Sequence, residues 1–169
     1  MPKKLLKRFI PKPETLKAHP HLRHFGKTLH NPNLWHLNRR SAAGAVAVGI
    51  FCAWLPIPFQ MFLAATIAIL FSVNLPISIA LVWITNPLTI GPLFYTAYRL
   101  GAFLLHLPVQ HFHFEFSYTW LSEAFGTIAP PLFLGALILG FTCAFFGYFI
   151  FLAFWRFTII KKWQRRNKK

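Results

Sequence analysis

Residues able to do acid, base or metal chemistry are few in this chain. Its carboxylates are Glu14, Glu115 and Glu123, set against 18 Lys and Arg and 8 His. No Ser-His-Asp set, phosphate-cradling glycine loop or close carboxylate pair is present. The one spacing that resembles a metal site is His111-Phe112-His113-Phe114-Glu115-Phe116. As an extended segment it puts His111, His113 and Glu115 on one face and three Phe on the other. Zinc asks for further ligands and an outer shell that this segment does not supply. An interfacial segment with Phe toward lipid is the preferred reading, so no metal, cofactor or enzyme activity is expected. His19, His21, His24, His30 and His36 also crowd together, but with no Cys or carboxylate set they read as solvated or headgroup-facing.

What the chain offers instead is polar side chains at breaks in an apolar run. From Ser41 to Tyr98 there is no charged residue. Pro56 and Pro58, Asn74 and Pro76, and Asn86 and Pro87 punctuate that run. Asn suits a helix N-cap, and Pro suits the first turn. Asn86-Pro87 is expected to open a helix through Arg99 to about residue 105. Two capped N-termini, at Asn74 and Asn86, would project partial positive charge into one region. Gln60, Asn74, Asn86, Thr89 and Arg99 therefore form the candidate polar or anionic site. Arg99 is the one basic residue of the apolar centre, and its alternative role is snorkelling to an interface.

Composition sets the class. Of 169 residues 56% are apolar and 12% charged, where an ordinary soluble domain has about 25% charged. That much apolar surface exceeds what a single domain of this length can hide. Aromatic content excludes a disordered tail, and two Cys exclude a disulfide scaffold. The net charge of +15 is segregated. Residues 1–40 carry ten basic residues and one acid, residues 156–169 seven basic residues and no acid. Basic flanks around an apolar centre mark the cytoplasmic side. Both termini are therefore expected there, with an even number of crossings and anionic lipid headgroups as partners. Nucleic-acid binding by the tails is the weaker reading, because topology already accounts for the charge.

The expected fold is an all-α integral membrane protein with short broken or re-entrant helices and longer spanning ones. Residues 1–40 form a basic interfacial segment, 41–160 the membrane domain and 161–169 a basic tail. Helical pieces are expected at about 41–55, 59–73, 76–85, 87–105 and 130–157, with 106–126 on the non-cytoplasmic side. The first two pieces have 15 residues each, about 22 Å of helix against a core of about 30 Å. Pieces that short imply backbone breaks sheltered by protein. Two small-residue ridges, Ala45-Gly49-Ala53 and Ala136-Gly140-Ala144, suit close helix contacts with one another or with a second copy in a homo-oligomer.

Several of these motifs occur together. Residues 29–40 (Leu29-His30-Asn31-Pro32-Asn33-Leu34-Trp35 through Arg40) precede Gly44 and Gly49-Ile50-Phe51. Then come Pro56-Ile57-Pro58-Phe59-Gln60, Asn74-Leu75-Pro76 and Trp83-Ile84-Thr85-Asn86-Pro87-Leu88-Thr89. The combination resembles a bacterial membrane-protein family known as domain of unknown function 2062, over about residues 29–157. That resemblance implies a bacterial, inner-membrane location and a core of short helices. Some members carry a fused glycosyltransferase domain, which implies an envelope-lipid setting. It transfers no reaction, ligand or site residue. Two functions follow as expectations: a small transporter or lipid-handling protein using the polar breaks, or a non-transporting scaffold for an envelope enzyme.

Overall fold

The structure is a computed structural model that describes residues 31–108 and 126–166, with side chains to residue 161. The basic segment before residue 31, the His111, His113 and Glu115 trio and the last tail residues lie outside the described residues. Among those described, every regular element is a helix. We number them α1 (Pro32–Trp35), α2 (Arg39–Trp54), α3 (Gln60–Leu70), α4 (Leu75–Val82), α5 (Ile90–Leu104) and α6 (Ala129–Arg166).

Asparagine side chains start the first elements. Asn31 Oδ1 accepts from Asn33 N at 3.0 Å, Asn38 Oδ1 from Ser41 N at 2.7 Å, and Asn74 Oδ1 from Ile77 N at 3.2 Å. Each satisfies a backbone donor that the first turn leaves over. Pro32 and Pro76 sit in those first turns, where a missing N–H costs nothing. Pro56 and Pro58 hold the α2–α3 turn, and Phe59 enters α3 with φ of 62°. That left-handed conformation costs a non-glycine residue about 1 kcal/mol or more. It is held by the turn, in which Gln60 Nε2 donates to the Leu55 carbonyl oxygen.

α2 is the hub because it is built from small residues. Ala42, Ala43, Ala45, Gly49, Cys52 and Ala53 are all buried, so α3, α4 and α6 approach it closely. A Cβ on Gly49 would stand 2.7 Å from the Ser78 carbonyl oxygen of α4. Ser78 Oγ donates within its own turn to the Asn74 carbonyl (3.1 Å) and lies 3.3 Å from that of Ala45 on α2. Leu34, Ala65, Ala68, Ile69 and Leu75 join α1, α3 and α4 in one cluster; Cys52, Ala64 and Val82 join α2, α3 and α4 in another.

Helix α6 fixes the register of the rest. Its Phe151 packs on the cluster of Ala42, Ala45 and Ile77. One to three turns earlier, Gly147 faces Ile50 and Val46, and Gly140 faces Phe51 and Trp54. Thus α2 runs antiparallel along the middle of α6. Helix α5 occupies the start of α6 instead. A Cβ on Gly135 would land on the Ala97 carbonyl oxygen, and one on Gly101 on that of Pro131. Side-chain-free contact of this kind is how small residues let helix backbones touch.

The glycines of the two small-residue ridges do not meet. Gly49 faces Ser78 and Leu81 of α4, and the Ala45 and Ala53 carbonyls accept from Ser78 and Thr85. Gly140 packs on the bulkier Phe51 and Trp54, and Ala136 and Ala144 are buried beside it on α6. Among the described residues, one helix is long and apolar enough to cross a membrane: Ala129–Lys161, 33 residues, with mean hydropathy 2.2 in its most apolar window. Only 11% of that window is buried. Helices α3 and α4, with 11 and 8 residues, reach about 16 and 12 Å.

Candidate functional site

The polar breaks sort into two ends of α2. At its C-terminal end stand the α2–α3 turn and the stretch from Trp83 to Thr89. Thr85 Oγ1 donates to the Ala53 carbonyl, tying the stretch after α4 to the last turn of α2. Asn86 does not cap a helix beginning at residue 87. Its Oδ1 accepts from Leu88 N at 2.9 Å and Thr89 N at 3.1 Å, which closes a turn around Pro87. Thr89 Oγ1 accepts from Asn86 N at 3.0 Å and donates to the Ile84 carbonyl. Helix α5 starts only at Ile90, with Thr89 as its N-cap residue. The expected helix start was three residues early because a short Asx turn, like a helix cap, places Asn just before Pro.

Gln60, Thr85 and Asn86 line one open cleft of about 460 Å³. The remaining walls include Phe59, Phe62, Trp83 and Val82. Its polar content is neutral amide and hydroxyl, mostly committed inside the chain. Gln60 Oε1 keeps its acceptor capacity, and Asn86 Nδ2 makes only a 3.5 Å contact with the Trp83 carbonyl. Such a cleft suits an apolar chain carrying an ester or another neutral polar group. It holds no cation to pair with an anion.

The other members of the expected site lie elsewhere. Asn74 is at the opposite end of α2, 1% exposed, where its N–H donates to the Ser41 carbonyl at 3.3 Å. The two capped starts that lie side by side are therefore those of α2 and α4, at Asn38 and Asn74. Arg99 is exposed on α5, nine residues beyond Ile90 and so about 13 Å farther along the helix axis. No hydrogen bond or ion pair joins it to another described residue. The structure brings Gln60 and Asn86 to one cleft, with Thr89 bonded to Asn86, and leaves Asn74 and Arg99 out.

Residues that the sequence reading missed are the hydroxyls that bind the break to the hub. Ser41, three residues after Asn38, donates its Oγ to the Asn33 carbonyl at 2.7 Å. Ser78, four after Asn74, and Thr85 do the same for α4. Their signal was small polar residues inside otherwise apolar segments. Around Ser41 a second open cleft, of about 540 Å³, includes Asn33, Arg39, Arg40 and Ser72 in its wall. No group of three or more His, Cys, Asp or Glu that could hold a metal occurs among the described residues.

A family model described as an uncharacterized protein conserved in bacteria, DUF2062, matches residues 22–164. The chain belongs to that family. The match takes in α1 to α5 and all but the last two residues of α6, so the α2 hub, both clefts and the α5–α6 contact are parts of the DUF2062 region itself. No curated protein and no solved structure matches the chain.

Proposed function

We propose that this DUF2062 chain is a multi-pass inner-membrane protein that handles lipid, with its working cleft at the break between α4 and α5. The membrane assignment starts from α6. A soluble core helix of this hydropathy would be mostly covered, whereas its apolar window is mostly bare. Phe59, Leu88 and Trp83 at the break are likewise exposed, a pattern that costs heavily in water and nothing in lipid.

The observation that carries the reading is the register along α6. Beyond Pro130-Pro131 its uncharged stretch covers residues 132–155. Gly140, level with the end of α2, lies about 12 Å from the start of that run and about 22 Å from its finish. The break at Thr85–Thr89, bonded to Ala53, shares that level and so falls inside the hydrocarbon. On this reading α2 and α3 enter from the basic side and return, α4 and α5 cross as one broken span, and α6 crosses back. Arg39, Arg40 and the basic end of α6 then share one side, in keeping with cytoplasmic retention of Lys and Arg. Non-helical backbone at this depth is tolerated where protein satisfies it, and the side-chain bonds of Gln60, Thr85 and Thr89 do so.

The cleft there is lined by an amide pair within apolar walls, facing outward from the hub. It offers a lipid ester a place to pause at mid-depth. Proteoliposomes carrying a fluorescent phospholipid test this by reduction of the outer-leaflet dye. Full-length protein is expected to make the inner-leaflet pool accessible, and a Gln60→Leu, Asn86→Ala double variant to slow that about tenfold. Flip rates equal to protein-free vesicles would refute lipid handling. One observation favours the scaffold reading: no buried polar side-chain atom among the described residues lacks a hydrogen bond, as in a static support. A scaffold gives no lipid movement but captures a defined envelope enzyme on crosslinking in native membranes.

A further inference from the structure

We propose that the cleft at the start of α2 binds the phosphate of an anionic phospholipid headgroup, with Arg39 and Arg40 as its cationic contacts. The cleft, of about 540 Å³, is separate from the break and lies at the opposite end of the hub. Arg39 and Arg40 are exposed on its wall. No carboxylate occurs among the described residues, so nothing described within the chain neutralises this pair.

The floor of the cleft is already built. Asn38 Nδ2 donates to Asn33 Oδ1 at 3.2 Å, Ser41 Oγ to the Asn33 carbonyl at 2.7 Å, and Asn31 Nδ2 to Ser72 Oγ at 3.0 Å. These bonds shape the cleft and use the Ser41 hydroxyl proton and one N–H each of Asn38 and Asn31, so the Asn38 amide keeps a second N–H to donate. Ser72 Oγ accepts the Asn31 bond and keeps its own proton to donate. Because Asn38 and Asn74 cap their helices, the attraction comes from the arginines and not from free helix ends. Two guanidinium forks and one hydroxyl match the non-bridging oxygens of a phosphodiester. Phe71, exposed on the same wall, offers apolar contact to the glycerol and first acyl carbons.

Depth selects lipid over a dissolved phosphate, and this step rests on the membrane reading above. Phe151 packs level with Ala42 and Ala45, so Arg39 lies about one turn farther along, level with Trp155 and Arg156. The apolar run of α6 ends there, which is where phosphates of the cytoplasmic leaflet stand.

The test uses the full chain in neutral detergent micelles, titrated with phosphatidylglycerol, phosphatidylcholine, inorganic phosphate and glycerol phosphate, read by native mass spectrometry and tryptophan fluorescence. Phosphatidylglycerol is expected to bind at least tenfold more tightly than phosphatidylcholine. An Arg39→Gln, Arg40→Gln double variant should lose at least tenfold, since each charged hydrogen bond is worth about a factor of ten. An Arg99→Gln, Lys161→Gln double variant removes the same charge away from the cleft and should change binding less than twofold. An Arg39→Lys, Arg40→Lys variant keeps the charge and the fold, and should bind with intermediate strength. Equal losses in the two Gln doubles would overturn the site in favour of a diffuse basic surface. Displacement by millimolar inorganic phosphate would overturn the lipid assignment. Flotation with phosphatidylcholine vesicles separates the two readings: the Arg39→Gln, Arg40→Gln variant should still float, whereas wild type left in the aqueous phase defeats the membrane reading itself.

Discussion

Replacing Gly135 by Ala tests the register on which the depth argument depends. The new methyl would coincide with the Ala97 carbonyl oxygen, 2.7 Å from its carbon and 3.0 Å from Gly101 N. All three are backbone atoms, so no side chain can rotate away and α5 must shift bodily. Such overpacking costs about 1–3 kcal/mol. Removing a helix glycine returns up to about 1 kcal/mol. The net expectation is a loss of about 1–2 kcal/mol, or a fall of roughly 2–8 °C in melting temperature for a chain this size. Gly91→Ala is the matched control, because nothing lies within 4 Å of its added methyl; it should be neutral or slightly stabilising. Gly101→Ala should behave like Gly135→Ala, its methyl meeting the Pro131 carbonyl. The double variant should lose less than the sum, since one displacement of α5 relieves both collisions. Thermal scans of purified protein in one detergent, at one scan rate, read all four. A Gly135→Ala protein as stable as Gly91→Ala would show that α5 and α6 do not touch in this register.

Further outcomes follow from the hub and the break. Asn74→Ala should cost about 1 kcal/mol, with Asn74→Ser recovering much of it, because Asn74 Oδ1 holds Ile77 N; denaturation of the two variants side by side decides. Phe59→Gly should raise stability by up to about 1 kcal/mol, since the residue has φ of 62° and is 83% exposed; a fall would mean that the ring is held by something in the bilayer. With Cys52 and Cys143 replaced by Ala, a single Leu88→Cys should react in vesicles with a membrane-permeant maleimide and not with a charged one. A single His36→Cys should react with the charged reagent from the basic side, and labelling of Leu88→Cys by that reagent would contradict its depth.

Proline and asparagine punctuation makes the breaks readable in the sequence, because both residues act locally through a missing N–H or a side-chain acceptor. The same is true of α6, whose long uncharged run needs no tertiary information. What the sequence could not give is the level of each piece against its neighbours. The separation of Asn74 from Asn86 depends on α4 lying parallel to α2, and the isolation of Arg99 depends on where α5 grips α6. The destination of the first small-residue ridge was open for a similar reason. Ala45, Gly49 and Ala53 advertise a close contact, yet Ser78 and Thr85, which select α4 as the partner, act over 33 and 32 residues. Arg39 and Arg40 read in sequence as basic charge and as the end of the residue 29–40 motif; that they share a cleft with Ser72 depends on how α2 packs.

The staggered docking along α6 makes the molecule unequal from one face to the other. On the basic half α2 lies against α6 with α3 and α4 packed on α2; on the far half, among the described residues, α5 accompanies it. On the membrane reading proposed above, and with each helix about 10 Å across, the described helices form a wedge, broad in one monolayer and narrow in its counterpart. Packed into a bilayer, such a wedge swells one sheet of lipids relative to the other, and it rests most comfortably where the membrane bows outward toward the broad end.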